Sequence, residues 1–165
     1  MKNLYIDFDG VIMDTISVTY DMLDRLEVDR KDPDKMKEFF SNLNWKQLLT
    51  LTPIINDAFN CLKKIFASNK FNVAILTHVN SLDEAVAKIN YIRKYFKDVT
   101  IIPVPREISK TKICLSKGAI LIDDYSGNLK EWASEGGIGI QFSRDLTKDK
   151  GFPVIDKLDK VIDMF

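Results

Sequence analysis

Two aspartates stand two residues apart in Asp7-Phe8-Asp9-Gly10-Val11, directly after the apolar run Leu4-Tyr5-Ile6. On an extended backbone residues i and i+2 share a side, so both carboxylates leave the strand end in one direction. Like charges held together call for a cation or a proton between them, and no lysine or arginine lies between Lys2 and Arg25 to supply one locally. A second acidic pair, Asp123-Asp124, ends the apolar run Ala119-Ile120-Leu121-Ile122. Clustered carboxylates of this kind suit a hard cation such as Mg2+, which takes one or two carboxylates and completes its shell with water and substrate phosphate. Asp7 and Asp124 are the expected side-chain ligands, with the backbone carbonyl of Asp9 as a third. A carboxylate that is also a nucleophile can accept a phosphoryl group, and its neighbour two residues on can protonate the leaving oxygen and then activate water. A hydroxyl at Thr77 and a lysine ammonium would hold the phosphoryl oxygens, where positioning and charge neutralisation do most of the catalysis. Lys110, Lys112 and Lys117 all precede the Ala119 run. Lys110, at the start of a predicted short helix over 110–115, is preferred, then Lys112.

These residues need strands to carry them. Leu4–Ile6, Phe71–Leu76, Val99–Val104, Ala119–Ile122 and Ile138–Ile140 read as five strands. Between them, Pro53 opens an amphipathic helix with Ile54, Ile55, Ala58, Phe59, Leu62, Ile65 and Phe66 on one face. Ser81-Leu82-Asp83-Glu84 is a capping box for a helix turning Leu82, Ala85, Val86, Ile89, Ile92 and Phe96 inward. A further helix is expected over Asn128–Glu135, and a last one from Ile155 to Ile162. Strands alternating with helices predict a Rossmann-like α/β fold, a parallel five-stranded sheet flanked by helices. Residues 15–52 carry helical spacing and no strand, so they read as a small helical cap inserted after strand 1, with 1–14 and 53–165 as the core. In such sheets the functional crevice lies beyond the carboxyl ends of the strands. Asp7/Asp9, Thr77, the lysine loop and Asp123/Asp124 all fall at such ends.

Composition narrows the partners. Lys+Arg and Asp+Glu balance at 24 each, so no global charge draws the chain to nucleic acid or anionic lipid, and an anionic substrate must be held by local charge or by a metal. The only two cysteines, Cys61 and Cys114, stand far apart with no CxxC spacing, which argues against a disulfide framework or thiolate zinc site. No apolar run approaches membrane-spanning length, and Met1-Lys2-Asn3 leads straight into a strand, so the cytoplasm is the expected setting. A small phosphorylated molecule is the expected partner, and self-association is left open.

Taken together, the motifs resemble those of the haloacid dehalogenase-like (HAD) phosphohydrolases. Asp7-Phe8-Asp9-Gly10-Val11 is similar to their first motif, DxDG followed by Thr or Val; Leu76-Thr77 to the second; a lysine before strand 4 to the third; and Ile122-Asp123-Asp124 with Asn128 to the fourth. Within that superfamily the chain is most similar to the 5'(3')-deoxyribonucleotidase-like group. The resemblance implies a Mg2+-dependent phosphomonoesterase working through an aspartyl-phosphate on Asp7, with Asp9 as acid/base. It also implies Asp124 as metal ligand, Asp123 as a supporting ligand to waters, Thr77 and a lysine on the phosphate, and a nucleotide as substrate. The cap is shorter than that group's and shows no evident nucleobase pocket, although Phe39, Phe40 or Trp45 could stack a base. His78 stands beside the phosphate site as a possible substrate contact.

Three other readings compete. A sugar phosphate would suit the same chemistry. A signalling receiver domain also joins acidic residues, Thr, Lys and Mg2+ on a five-stranded parallel sheet, but its phosphoacceptor follows strand 3, where this sequence has no aspartate. A non-catalytic binding module remains the third, since fold alone never establishes function.

Overall fold

The computed structural model describes residues 1–165. Six strands form one sheet: β1 (Lys2–Ile6), β2 (Phe71–Val79), β3 (Thr100–Pro105), β4 (Ile120–Asp123), β5 (Ile138–Phe142) and β6 (Val154–Ile155). Their order is β3-β2-β1-β4-β5-β6, and every pairing is parallel. β1 lies between β2 and β4, with Ile6 opposite Ile75 on one side and Ile122 on the other. The register therefore brings the ends of β1, β2 and β4 to one edge.

A parallel sheet is covered on both faces, which is why its strands read as continuous apolar runs. Ile120 and Ile122 pack with Leu4, Ile6, Ile75, Leu62, Ile65 and Ile92 on one face. Leu121, between them, packs with Leu76, Leu129 and Trp132 on the other. The covering helices are α4 (Ala58–Ala67), α5 (Leu82–Arg93) and α6 (Ser126–Ser134). Between β1 and α4 come α1 (Thr15–Arg25), α2 (Pro33–Asn42) and α3 (Trp45–Leu51), capped at their N-termini by the Asp14, Asp32 and Asn44 side chains. No helix is long and apolar enough to cross a membrane.

Four local features differ from the sequence reading. The sheet has six strands rather than five. β6 is only two residues long and pairs Val154 with Gln141 and Ile155 with Phe142, too short to show an alternation of its own. The expected last helix shrinks accordingly to a 3-10 turn over Leu158–Lys160 and a single-turn α7 (Val161–Met164). The helix expected from Pro53 starts at Ala58 instead. Pro53–Ile55 is an extended return that hydrogen-bonds the β1 loop, with Asp14 N donating to Pro53 O and Ile55 N to Ile12 O. Asn56 and Asp57, both at positive φ, then turn the chain into α4.

The fourth difference concerns α5. Leu82 and Val86 are 84% and 56% exposed, while Glu84 and Lys88 are buried. The helix has rotated its charged i, i+4 pair toward the sheet and left two aliphatic side chains outside. The buried pair meets a third charge, Asp9, across the interface.

Candidate active site

The β1 strand runs past its end: Asp7 N still donates to Ile122 O at 2.9 Å. The chain then turns sharply, with Phe8 O accepting from Ile12 N and Met13 N and Gly10 N donating to Met13 O. Phe8 sinks into the core, so Asp7 and Asp9 emerge on the opposite side, as the period-two rule requires. Gly10 sits at φ +74°, and a Cβ there would overlap the Asp124 carboxylate. Only glycine combines that left-handed backbone with so close an approach.

Asp7, Asp123 and Asp124 converge, each offering a carboxylate oxygen within 4.8 Å of the others. Lys110, in a 3-10 turn over Lys110–Lys112 and buried, donates to Asp7 Oδ1 at 2.8 Å and to Asp123 Oδ2 at 2.7 Å. Asp123 is fully buried and also accepts from Tyr125 N and Asn128 Nδ2, both at 2.9 Å. Its oxygens are thus occupied, whereas no side-chain partner engages Asp124. Burial, then repulsion from Asp7 and Asp123, pushes the Asp124 carboxyl up to about 8. Burial and Asp123 push Asp7 up to about 7 in spite of Lys110. Burial opposes the charge on Lys110, but Asp7 and Asp123 outweigh it and hold the ammonium more basic than usual. One ammonium among three carboxylates leaves an excess of negative charge, and Asp7 and Asp124 have oxygens to offer a cation. Asp7 and Asp124 could therefore hold a hard divalent cation, with Asp123 steadied behind them.

Asp9 faces a different environment. Its Oδ1 accepts from Thr15 Oγ1 at 2.6 Å, and its Oδ2 from Lys88 Nζ at 2.6 Å. Both oxygens of the carboxylate are therefore held. Lys88 was not anticipated from the sequence. It is fully buried, reaches Glu84 Oε1 at 2.8 Å, Thr77 Oγ1 at 3.1 Å and His78 O at 3.2 Å, and lies 5.2 Å from the ring centres of both Phe8 and Trp45. The signal in the sequence is the stripe Glu84, Lys88, Ile92 at i, i+4, i+8, which competes with the apolar stripe of Leu82 and Val86.

The other expected residues divide. Thr77 is fully buried behind Asp9, its hydroxyl engaged by Lys88, and is not part of the cavity wall. His78 does line the cavity, half-buried, with Nε2 bonded to Ile108 O at 2.9 Å. Burial above all lowers its pKa, and Nε2–H donates to that carbonyl, which can only accept. Lys112 and Lys117 are exposed and form no ion pair with the acidic cluster. Of the three lysines before β4, only Lys110 reaches the site. Phe40 and Trp45 border the cavity and Phe39 does not; Phe39 packs edge-on against Phe40.

The cavity over these carboxylates has a volume of about 620 Å³. Tyr20, Phe40 and Trp45 from α1–α3 line it, together with His78, Arg106 and Ile108. A pocket of this size, floored by titratable groups with perturbed pKa values at the carboxyl edge of a parallel sheet, has the form of a small-molecule reaction site.

No protein-family model matches the sequence, and no curated protein is significantly similar to it. Solved structures are. A HAD-superfamily hydrolase of subfamily IA, variant 1, from Geobacter sulfurreducens superposes with a TM-score of 0.66 over 100% of both chains at 12% identity. A putative HAD-hydrolase from Bacillus subtilis, bound to magnesium, gives 0.62 over 99% of this chain and 97% of that one, at 12% identity. D,D-heptose 1,7-bisphosphate phosphatase from Burkholderia thailandensis gives 0.61 over 100% and 98%, at 11% identity. At these identities the likeness lies in the fold. The chain has the Rossmann-like α/β fold of the HAD-superfamily hydrolases.

Proposed function

We propose that this protein is a phosphomonoester hydrolase in which Asp7 is the nucleophile and Asp9 the acid/base. The observation that carries the reading is the convergence of Asp7, Asp123 and Asp124 around Lys110 at the floor of the cavity. Lys110 occupies Asp7 Oδ1, which leaves Oδ2 to attack phosphorus. The bond to the ester oxygen breaks as the new Asp7–phosphorus bond forms, and Asp9 gives its proton to the departing oxygen. Water then attacks the phosphoryl group on Asp7, Asp9 takes the water's proton, and inorganic phosphate leaves. A bound Mg2+ would neutralise phosphoryl charge and orient the group for in-line transfer. Lys110 neutralises Asp7 from behind, and Asn128 and Tyr125 N hold Asp123 in place. We read α1–α3 as the cap, since Thr15, Tyr20, Phe40 and Trp45 border the cavity from that segment.

The substrate we propose is a nucleoside monophosphate, supported by the lining aromatic side chains Tyr20, Phe40 and Trp45. A sugar phosphate is the second reading, favoured by the polar lining residues Arg106, Ser109 and Glu131. The test is hydrolysis of 4-nitrophenyl phosphate with Mg2+ by the wild-type chain and by Asp7→Asn. A loss of about 10⁴-fold or more is expected for removal of a covalent nucleophile, and full activity in the variant would remove Asp7 from its role. A panel of ribo- and deoxyribonucleoside 5'- and 3'-monophosphates and sugar phosphates then decides the substrate. Turnover of sugar phosphates alone would overturn the nucleotidase reading.

A further inference from the structure

We propose that Lys88 is a positioning residue for Asp9, aiming its carboxylate at the leaving oxygen; this rests on the phosphohydrolase reading above. Lys88 is fully buried and does not border the cavity, so it acts through Asp9 and not on substrate. A carboxylate has about four lone-pair sites. Lys88 takes one on Oδ2, where Thr77 Oγ1 also lies at 3.5 Å, and Thr15 one on Oδ1; this fixes the plane of the group while Asp9 still borders the cavity.

The ammonium is itself held from several directions. Glu84 grips it at 2.8 Å, and Glu84 is anchored by Asn80, whose backbone N donates to it at 2.6 Å and whose Nδ2 donates at 3.1 Å. Ser81 caps the same turn by accepting from Glu84 N. Phe8 and Trp45 present their rings to Lys88 Nζ, favourable for a cation and closed to water. Stability alone does not account for this arrangement. A buried ion pair is often no more stabilising than apolar side chains of the same volume, and exposed Leu82 and Val86 on the same helix were available to be buried. Two buried charges are explained if one of them must meet Asp9.

A general acid matters in proportion to how poor the leaving group is. An alkoxide needs the Asp9 proton as its bond to phosphorus breaks; nitrophenolate departs without one. Lys88→Met should therefore lower kcat/KM for glycerol 2-phosphate about 10 to 100-fold more than for 4-nitrophenyl phosphate, within the range of acid catalysis. In an Asp9→Asn background the same substitution should add no selective loss, since the two residues act as one unit. Glu84→Gln combined with Lys88→Met removes both buried charges together, so the folded chain is retained and the same selective loss is expected. An equal loss on both esters in the double variant overturns the proposal. If the wild-type chain with Mg2+ hydrolyses neither ester, the phosphohydrolase reading itself fails and this inference falls with it.

Discussion

Two buried lysines pair with the two aspartates that follow β1, and they do so differently. Lys110 comes from a turn before β4 and lies between Asp7 and Asp123, with Asp124 close by. Lys88 comes from α5 and lies between Asp9 and Glu84, enclosed by Phe8 and Trp45. In both places burial disfavours the ammonium and flanking carboxylates outweigh it, so both lysines are held more basic than usual. What differs is the remainder. Around Lys110 a third carboxylate is unmatched and borders the cavity, an arrangement that could hold a cation. Around Lys88 each carboxylate is matched, and the Phe8 and Trp45 rings close over the ammonium while Asp9 keeps one side to the cavity, which makes a fixed support. The same ion pair is an incomplete site in one setting and a completed scaffold in the other.

That contrast can be tested by removing each ammonium. Lys110→Met should have the largest effect, about 3–5 kcal/mol of stability, because Asp7 and Asp123 are then buried without their counter-charge. Denaturant unfolding measures it, and added Mg2+ should recover part of the loss by binding the same carboxylates. Lys88→Met strands Asp9 and Glu84 in the same way, but here Glu84→Gln in the same chain should recover most of the stability, as no cation site is involved. If Mg2+ rescued Lys88→Met as well as Lys110→Met, the division into open and closed surroundings would be wrong.

A smaller effect is expected from pH. Asp7 and Asp124 are raised to about 7 and about 8 in the folded chain, against about 4 when unfolded. Between those values the folded state binds more protons, so without metal its stability should fall as pH rises from about 4 to about 8 and level off above. Thermal unfolding at several pH values with a chelator checks this, and Mg2+ should flatten the curve by stabilising the ionised carboxylates. A stability that rises through the same window would contradict the cluster's assigned electrostatics. The smallest effect should come from Lys112→Ala, an exposed lysine two residues from Lys110. Stability should move by less than about 0.5 kcal/mol, and kcat on 4-nitrophenyl phosphate should not change. A large loss of activity there would reopen the assignment of Lys110.

The legible parts of the site were those encoded by neighbouring residues. A strand end followed by Asp-x-Asp-Gly states its geometry locally, because side-chain alternation has period two and Gly10 marks the turn. Asp123-Asp124 after four apolar residues does likewise, and the short turn at Lys110 was visible from the loop that carries it. Less legible were the features for which two local patterns competed. α5 has one stripe through Leu82, Val86 and Ile89 and another through Glu84, Lys88 and Ile92, and hydrophobicity alone favours the first. The Pro53–Ile55 segment fits a helical face, yet its backbone hydrogen bonds go to the β1 loop.

The sequence by itself determined that two acidic pairs, a lysine loop and a set of strand ends share one edge of a parallel sheet, since strand period and βαβ topology impose that placement. The tertiary structure alone decided which charges meet. Asp9 finds Lys88 across 79 residues, Thr77 turns its hydroxyl to that lysine, and α5 exposes Leu82 and Val86. The physical reason is that a buried charge is tolerated only against a partner of fixed position, and that position is set by the packing of α5 on β2 and not by any pattern within α5.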